Sequence, residues 1–225
     1  FEVLHDDFIV RPLGNSNNIR EMSYYRDFNP ATGNISGVYQ NFFRGINTFS
    51  VAIDGISGME EFPDQQTLIA ESKFLRAFSY FVLVRLFGRV PIIDQSLDAS
   101  EVRSIPRAAS VDEVYELIIN DLNAGVNDLW EEAPLPGRAT KWAAMSLLSK
   151  VHLTLGNWNE AAQLAARVIN ESPHELLPVY TDVFSDQNEN NAESIFEIQM
   201  ELGAERSNQV GNWPRGIGPN GNNDF

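Results

Sequence analysis

The run FLRAFSYFVLVRLFGRVPII, residues 74–93, constrains the fold of this chain more than any other stretch. It is the most apolar segment, yet it carries Arg76, Arg85 and Arg89. Only eight uncharged residues separate Arg76 from Arg85, whereas a membrane-spanning helix needs about 20. Three arginines at this spacing could not all reach the headgroups of one bilayer. The segment is therefore not a span, and it must pack against other parts of the protein. A helix predicted over 63–87 has Pro63 at its start and Gly88 just past its end. Arg76 and Arg85 are nine positions apart, which at about 100° per residue places them on opposite sides of that helix. Apolar residues fill most other directions, so neighbours are expected on several sides. Buried arginines need partners; separate carboxylates or helix ends are expected for the two, with Asp121 a candidate.

Four further helices follow from pattern and caps. Val38, Phe42, Ile46, Phe49 and Ile53 recur three or four apart, predicting a helix over 36–56 that ends in the Ser57-Gly58 turn. Residues 88–110 read as a connector containing the short apolar run Val90 to Ile93. Ser110 with Glu113 three residues later is a capping box, opening a helix over 111–130 with Val114, Leu117, Ile118, Asp121 and Leu122 on its buried stripe. A Pro-rich turn, APLPGRA, leads to a helix over 140–155 and another over 158–171, the latter stopped by Pro173. Leu148, Gly156, Trp158, Ala161 and Pro173 fall at the offsets of a tetratricopeptide unit, with Ser149 and Ala165 departing from it. Residues 1–35 are rich in Asn, Asp, Gly and Pro and read as loops, with one short strand near 8–10. Residues 194–200 alternate with a period of two and read as a strand. The expected fold is mainly α, a tetratricopeptide-like scaffold with long loops and a few short strands.

Composition limits the function. The 225-residue chain has 16 basic and 31 acidic residues, a formal net charge of −15. No basic stripe is available to displace phosphate counterions, which argues against nucleic acid, or to dock on anionic lipid. Without cysteine there is no disulfide, thiolate metal site or thiol nucleophile. The chain starts without an initiator Met or basic leader and stops in loop chemistry, so both ends read as cuts.

FLRAFSYFVLVRLFGRVPII, VDEVYELIINDLNAGVNDL, GRATKWAAMSLLSKVHLTLGNWNEAAQLAARVI and VFSDQNENNAESIFEIQM, in this order, closely resemble the SusD/RagB family. The resemblance covers roughly residues 36–200. It implies an outer-membrane lipoprotein at the cell surface that captures glycans, sometimes peptides, without cleaving them. It also implies a partner, a SusC-type TonB-dependent transporter, with no cofactor. Family members are longer, begin at a lipidated Cys and continue into a loop-rich C-terminal half. The chain is thus expected to be a single SusD-like domain truncated at both ends: loops over 1–35, helical repeats over 36–173, and a strand-and-loop segment over 174–225.

Glycan binding needs aromatic faces for sugar rings and planar amides, carboxylates or Arg for hydroxyls. Two loops offer that mixture: Tyr24, Tyr25, Arg26, Asp27, Phe28 and Asn29 in one, Asn212, Trp213 and Arg215 in the other. No family motif fixes these residues individually, and loop aromatics equally serve to pin loops to a body. Trp142 and Trp158 read as packing residues because both occupy helical positions, and His152 as a packed core histidine; Trp130 at a helix end is open. Gly216 to Gly221 fit G-x-G-x-x-G, but a dinucleotide site needs that pattern to link a strand directly to a helix; here the expected strand ends near Met200, Pro219 interrupts and no helix follows. Asp186, Asn188, Asn190 and Glu197 fit positions 1, 3, 5 and 12 of a calcium loop, with Asn191 at the glycine position. The strand pattern after them, where an exit helix is required, favours an Asn-rich turn. The adjacent acids Asp6/Asp7, Glu60/Glu61 and Glu131/Glu132 cannot face each other across a glycosidase cleft. His5, His152 and His174 lack metal-ligand spacing. A tetratricopeptide adaptor and a carbohydrate-active enzyme are the rival readings.

Overall fold

A computed structural model describes residues 33–98, 101, 104–185 and 188–199. These fall into two compact units: residues up to Glu131 with Ala139–Ser172, and Glu132–Arg138 with residues from Pro173 onward. Among the described residues the first unit holds five helices, α1 (Gly33–Ser57), α2 (Gln65–Phe87), α3 (Val111–Asp128), α4 (Lys141–Leu155) and α5 (Trp158–Glu171). Each packs against its successor, so the layer order follows the chain order. No helix among the described residues is long and apolar enough to cross a membrane.

Local chemistry sets the ends of these helices. Ser110 Oγ accepts the Glu113 N–H at 3.2 Å, as the capping box requires. The return bond goes one residue further out, from the Ala109 N–H to Glu113 Oε2 at 3.1 Å. Thr140 Oγ1 caps α4 through the Ala143 N–H, and Gly156 ends it at φ 79°, a conformation that suits glycine. The start of α2 departs from expectation. Pro63 precedes the helix instead of opening it, because Asp64 adopts a left-handed conformation at φ 63° and the helix begins at Gln65.

The core is centred on α2. Phe74, Ala77, Tyr80, Phe81, Leu83 and Val84 are buried, as are Ile46 and Ile53 of the neighbouring α1 and Val114, Ile118 and Leu122 of the neighbouring α3. Close approach of α3 to α4 depends on Gly125, where an added Cβ would lie 2.8 Å from the Cβ of Ala144. Between α4 and α5, Ser149 Oγ donates to the Ala161 carbonyl at 2.7 Å. Serine at this repeat position thus supplies a bond between helices, and buried Ala161 keeps them close.

The tetratricopeptide packing holds, with two corrections. Trp142 is buried, but Trp158 is 66% exposed. A helical position does not choose a face, and only Ala161 and Val168 of α5 are buried. His152 is half-buried, not a core residue. It faces the α4–α5 turn, where its Nδ1 pairs with Asn157 Nδ2 at 3.2 Å and its carbonyl accepts the Asn157 N–H.

In the second unit a 3-10 helix spans Tyr180–Phe184. The strand expected over 194–200 is not found among the described residues, where the only ladder element is an isolated bridge between Pro91 and Arg107. Alternation supplies two faces but not a neighbouring strand. Here the nearby turn bonds through side chains instead: Glu197 accepts the Asn190 N–H, and the Asn190 and Gln199 amides bond each other twice.

Candidate functional site

The opening sequence run provides the rigid centre of the scaffold. Arg76, 4% exposed, donates from Nε to Asp121 Oδ2 at 2.8 Å and from Nη2 to Oδ1 at 2.9 Å. Its Nη1 reaches Ser50 Oγ at 3.1 Å and the Asp94 carbonyl at 2.9 Å. Ser50 Oγ in turn donates to the Ile93 carbonyl, and the Ile93 N–H donates to the Tyr80 hydroxyl at 2.6 Å. One guanidinium therefore ties α1, α2, α3 and the connector together. Burial works against the Arg76 charge, and its bonds to Asp121 more than restore it. Burial likewise pushes the Asp121 carboxyl up against the pull of Arg76. Tyr80 is driven far above the usual phenol range by burial, opposed by its bond to Ile93 and by Arg76.

The burial expected for Arg85 is not found. It is exposed in the last turn of α2, at the helix end, and pairs with no carboxylate among the described residues; its guanidinium lies 4.7 Å above the Phe81 ring. A ring face on its own helix, at i−4, satisfies the cation without burying it.

The loop residues singled out for glycan contact, Tyr24, Tyr25, Arg26, Asp27, Phe28, Asn29, Asn212, Trp213 and Arg215, lie outside the described residues, as does Asp186. Of the calcium-loop pattern, Asn188, Asn190 and Glu197 are described. The left-handed residue is Asn190 at φ 53°, one position before the Asn191 that the pattern requires. Asn191 instead donates to the Asn188 carbonyl and accepts the Glu193 N–H. These groups build the Asn-rich turn, and among the described residues no cluster of three or more acidic or His side chains could hold a metal.

Two surface features escape sequence reasoning. In the second unit Tyr180 and Phe184 are 75% and 72% exposed, with ring centroids 5.4 Å apart in an edge-on pair. A loop reading hid them, since only the 3-10 turn brings residues four apart together. In the first unit the α1–α2 hairpin forms an open, solvent-facing cavity of about 650 Å³. Ile53, Ile69 and Phe62 form its apolar part, with Glu61, Asp64 and Gln66 among its polar groups. The only sequence signal for it was the acidic, Gln-rich turn; the unusual Asp64 backbone is invisible in the sequence.

Comparison with known proteins decides the family. The family model SusD-like_3, described as starch-binding associating with outer membrane, matches residues 5–153. The chain belongs to the SusD-like family. It is 30% identical over 196 residues to SusD-like protein P25 of Formosa agariphila, covering 85% of this chain and 36% of that one. A crystal structure with xylogluco-oligosaccharide superposes with a TM-score of 0.73 at 29% identity, over 83% of this chain and 39% of that one. A laminarin-binding SusD-like protein gives 0.74 at 28%, over 81% and 42%. The chain thus spans 36–42% of the length of these three proteins. The helical scaffold is the SusD-like, tetratricopeptide-like one, and residues 74–87 of the apolar run form most of α2, around which its core is centred.

Proposed function

We propose that the SusD-like protein containing this chain captures glycans at the bacterial outer-membrane surface and passes them, uncleaved, to a SusC-type TonB-dependent transporter. The observation that carries this is its similarity, at 28–29% identity, to a structure holding a xylogluco-oligosaccharide and to a laminarin-binding protein. The scaffold suits the task. Capture requires binding groups held in place before the ligand arrives, since ordering them on binding costs affinity. Stacked helices, of which α1, α2 and α3 are cross-tied by Arg76, give such a base. Loops carry the contacts in this reading: Tyr24, Tyr25 and Phe28 with Arg26, Asp27 and Asn29, and Trp213 with Asn212 and Arg215. The net charge of −15 on this chain favours neutral or cationic glycans over strongly anionic ones.

The test is affinity electrophoresis of the full-length protein in native gels cast with xyloglucan, laminarin, starch and a wider panel of glycans. At least one polysaccharide is expected to retard it, without release of reducing ends. Tyr24→Ala with Tyr25→Ala, or Trp213→Ala, should abolish the retardation. Failure across the panel overturns the reading in favour of peptide capture or an adaptor role; hydrolysis would make the protein an enzyme.

A further inference from the structure

The α1–α2 hairpin cavity has the buried core residues Ile53 and Ile69 at its floor and exposed polar side chains at its rim. It lies at the C-terminal end of α1, whereas residues 24–29 precede the N-terminal end in sequence. α1 has 25 residues, about 37 Å of helix. We propose that this cavity is a second saccharide contact, which holds one neutral sugar residue of a long glycan; this rests on the capture reading above.

Size and chemistry point the same way. About 650 Å³ lies within the rough 300–1,000 Å³ range of small-molecule pockets. The half-buried Phe62 ring offers an apolar face beside Ile53 and Ile69. Glu61, Asp64 and Gln66 are exposed, and among the described residues no hydrogen bond or ion pair engages their side chains. An anionic ligand would meet two carboxylates, and a purely apolar one would desolvate them without compensation. A cationic ligand would meet Lys73, which also lines the cavity. A neutral polyol satisfies all of them: its hydroxyls donate to Glu61 and Asp64 and exchange bonds with Gln66, while a C–H face rests on Phe62.

The cavity is also held in shape. Gln65 Nε2 donates to the Ile56 carbonyl at 2.8 Å, and the Gly58 N–H donates to the Asp54 carbonyl at 3.0 Å, closing the turn. Asp64 is the decisive residue. At φ 63° it occupies a conformation that glycine takes freely, and its side chain makes no capping bond to α2. Its carboxylate is what the hairpin gains over glycine, and that carboxylate is left for another partner.

Asp64→Gly separates structure from binding, because it removes the carboxylate while relieving the backbone. In the full-length protein, Asp64→Gly is expected to keep or raise the Tm yet weaken retardation by the polysaccharide that binds wild type about tenfold, the loss of one hydrogen bond to a charged group. Phe62→Ala should weaken it comparably. A short oligosaccharide of the same glycan, measured by calorimetry, should bind both variants as it binds wild type, because it engages the loop residues alone. Polysaccharide retardation unchanged in both variants overturns the second contact and leaves the capture reading intact. Wild type retarded by no glycan overturns both.

Discussion

Removing the Asp121 carboxylate tests how the scaffold is held. In Asp121→Ala the Arg76 guanidinium stays in a site where only 4% of the residue is exposed, with two of its four hydrogen bonds gone. Breaking one partner of a buried pair costs about 3–5 kcal/mol, because the surviving charge is uncompensated. Ser50 and the Asp94 carbonyl remain as neutral acceptors, which sets the expectation near the lower end, about 3 kcal/mol. Replacing both partners, Arg76→Met with Asp121→Leu, removes the charges altogether. What is then lost is chiefly the donor to the Asp94 carbonyl, about 1 kcal/mol, since Ser50 keeps its own bond to the Ile93 carbonyl. Urea unfolding followed by circular dichroism at 222 nm measures all three variants. The double variant should be more stable than Asp121→Ala, with a coupling energy of at least about 2 kcal/mol between the sites. A cost below about 1 kcal/mol for Asp121→Ala, or additive losses in the double variant, would refute the claim that this pair ties the helices.

Three further outcomes are expected. Gly125→Ala should cost about 1–3 kcal/mol by overpacking α3 against α4, and Ala144→Gly, which removes the clashing Cβ at 2.8 Å, should recover part of the loss in the same urea assay. Tyr80 has a folded pKa raised by burial, so its contribution is fully present below the unfolded value near 10. That contribution is lost as pH rises further, because the unfolded chain releases a proton that the native state keeps. Tyr39 and Tyr115 shift the same way through burial. Stability should thus fall above about pH 10, and tyrosinate absorbance at 295 nm should show Tyr80 titrating only with unfolding, a phase that Tyr80→Phe removes; early titration would contradict its burial. Trp142→Ala should cost about 3–5 kcal/mol, whereas Trp158→Ala should change stability by about 0.5 kcal/mol or less, as befits a surface residue. Equal costs would place Trp158 in the core after all.

Much of this fold is legible in the sequence where local chemistry decides it. Ser110, Thr140, Gly88 and Gly156 mark helix ends through their own caps and turns, so α3, α4 and α5 fall where pattern places them. Asp121 stands out because a carboxylate on an apolar stripe needs a cation, and Arg76 supplies it. Legibility ends where a neighbour decides. Trp158 has a helical position whatever covers it, and nothing local says that α5 turns it outward. Residues 194–199 alternate as a strand would, yet a strand also needs a partner to bond. Pro63 reads as a first helical residue, but the Asp64 backbone delays the helix to Gln65. The hairpin cavity depends on that same backbone, so it too is hidden from pattern. The loops proposed to contact glycan are legible only as composition, aromatic rings beside amides and carboxylates, which names a chemistry without fixing a geometry.

Calorimetric titration of the full-length protein with xylogluco-, laminari- and malto-oligosaccharides, with reducing ends followed in parallel, tests the central claim most directly. Saturable binding of at least one of these glycans, lost in the Tyr24→Ala/Tyr25→Ala variant and accompanied by no new reducing ends, is the predicted result. Heat of binding from none of them, or oligosaccharide cleaved in the cell, would contradict capture by a non-catalytic scaffold.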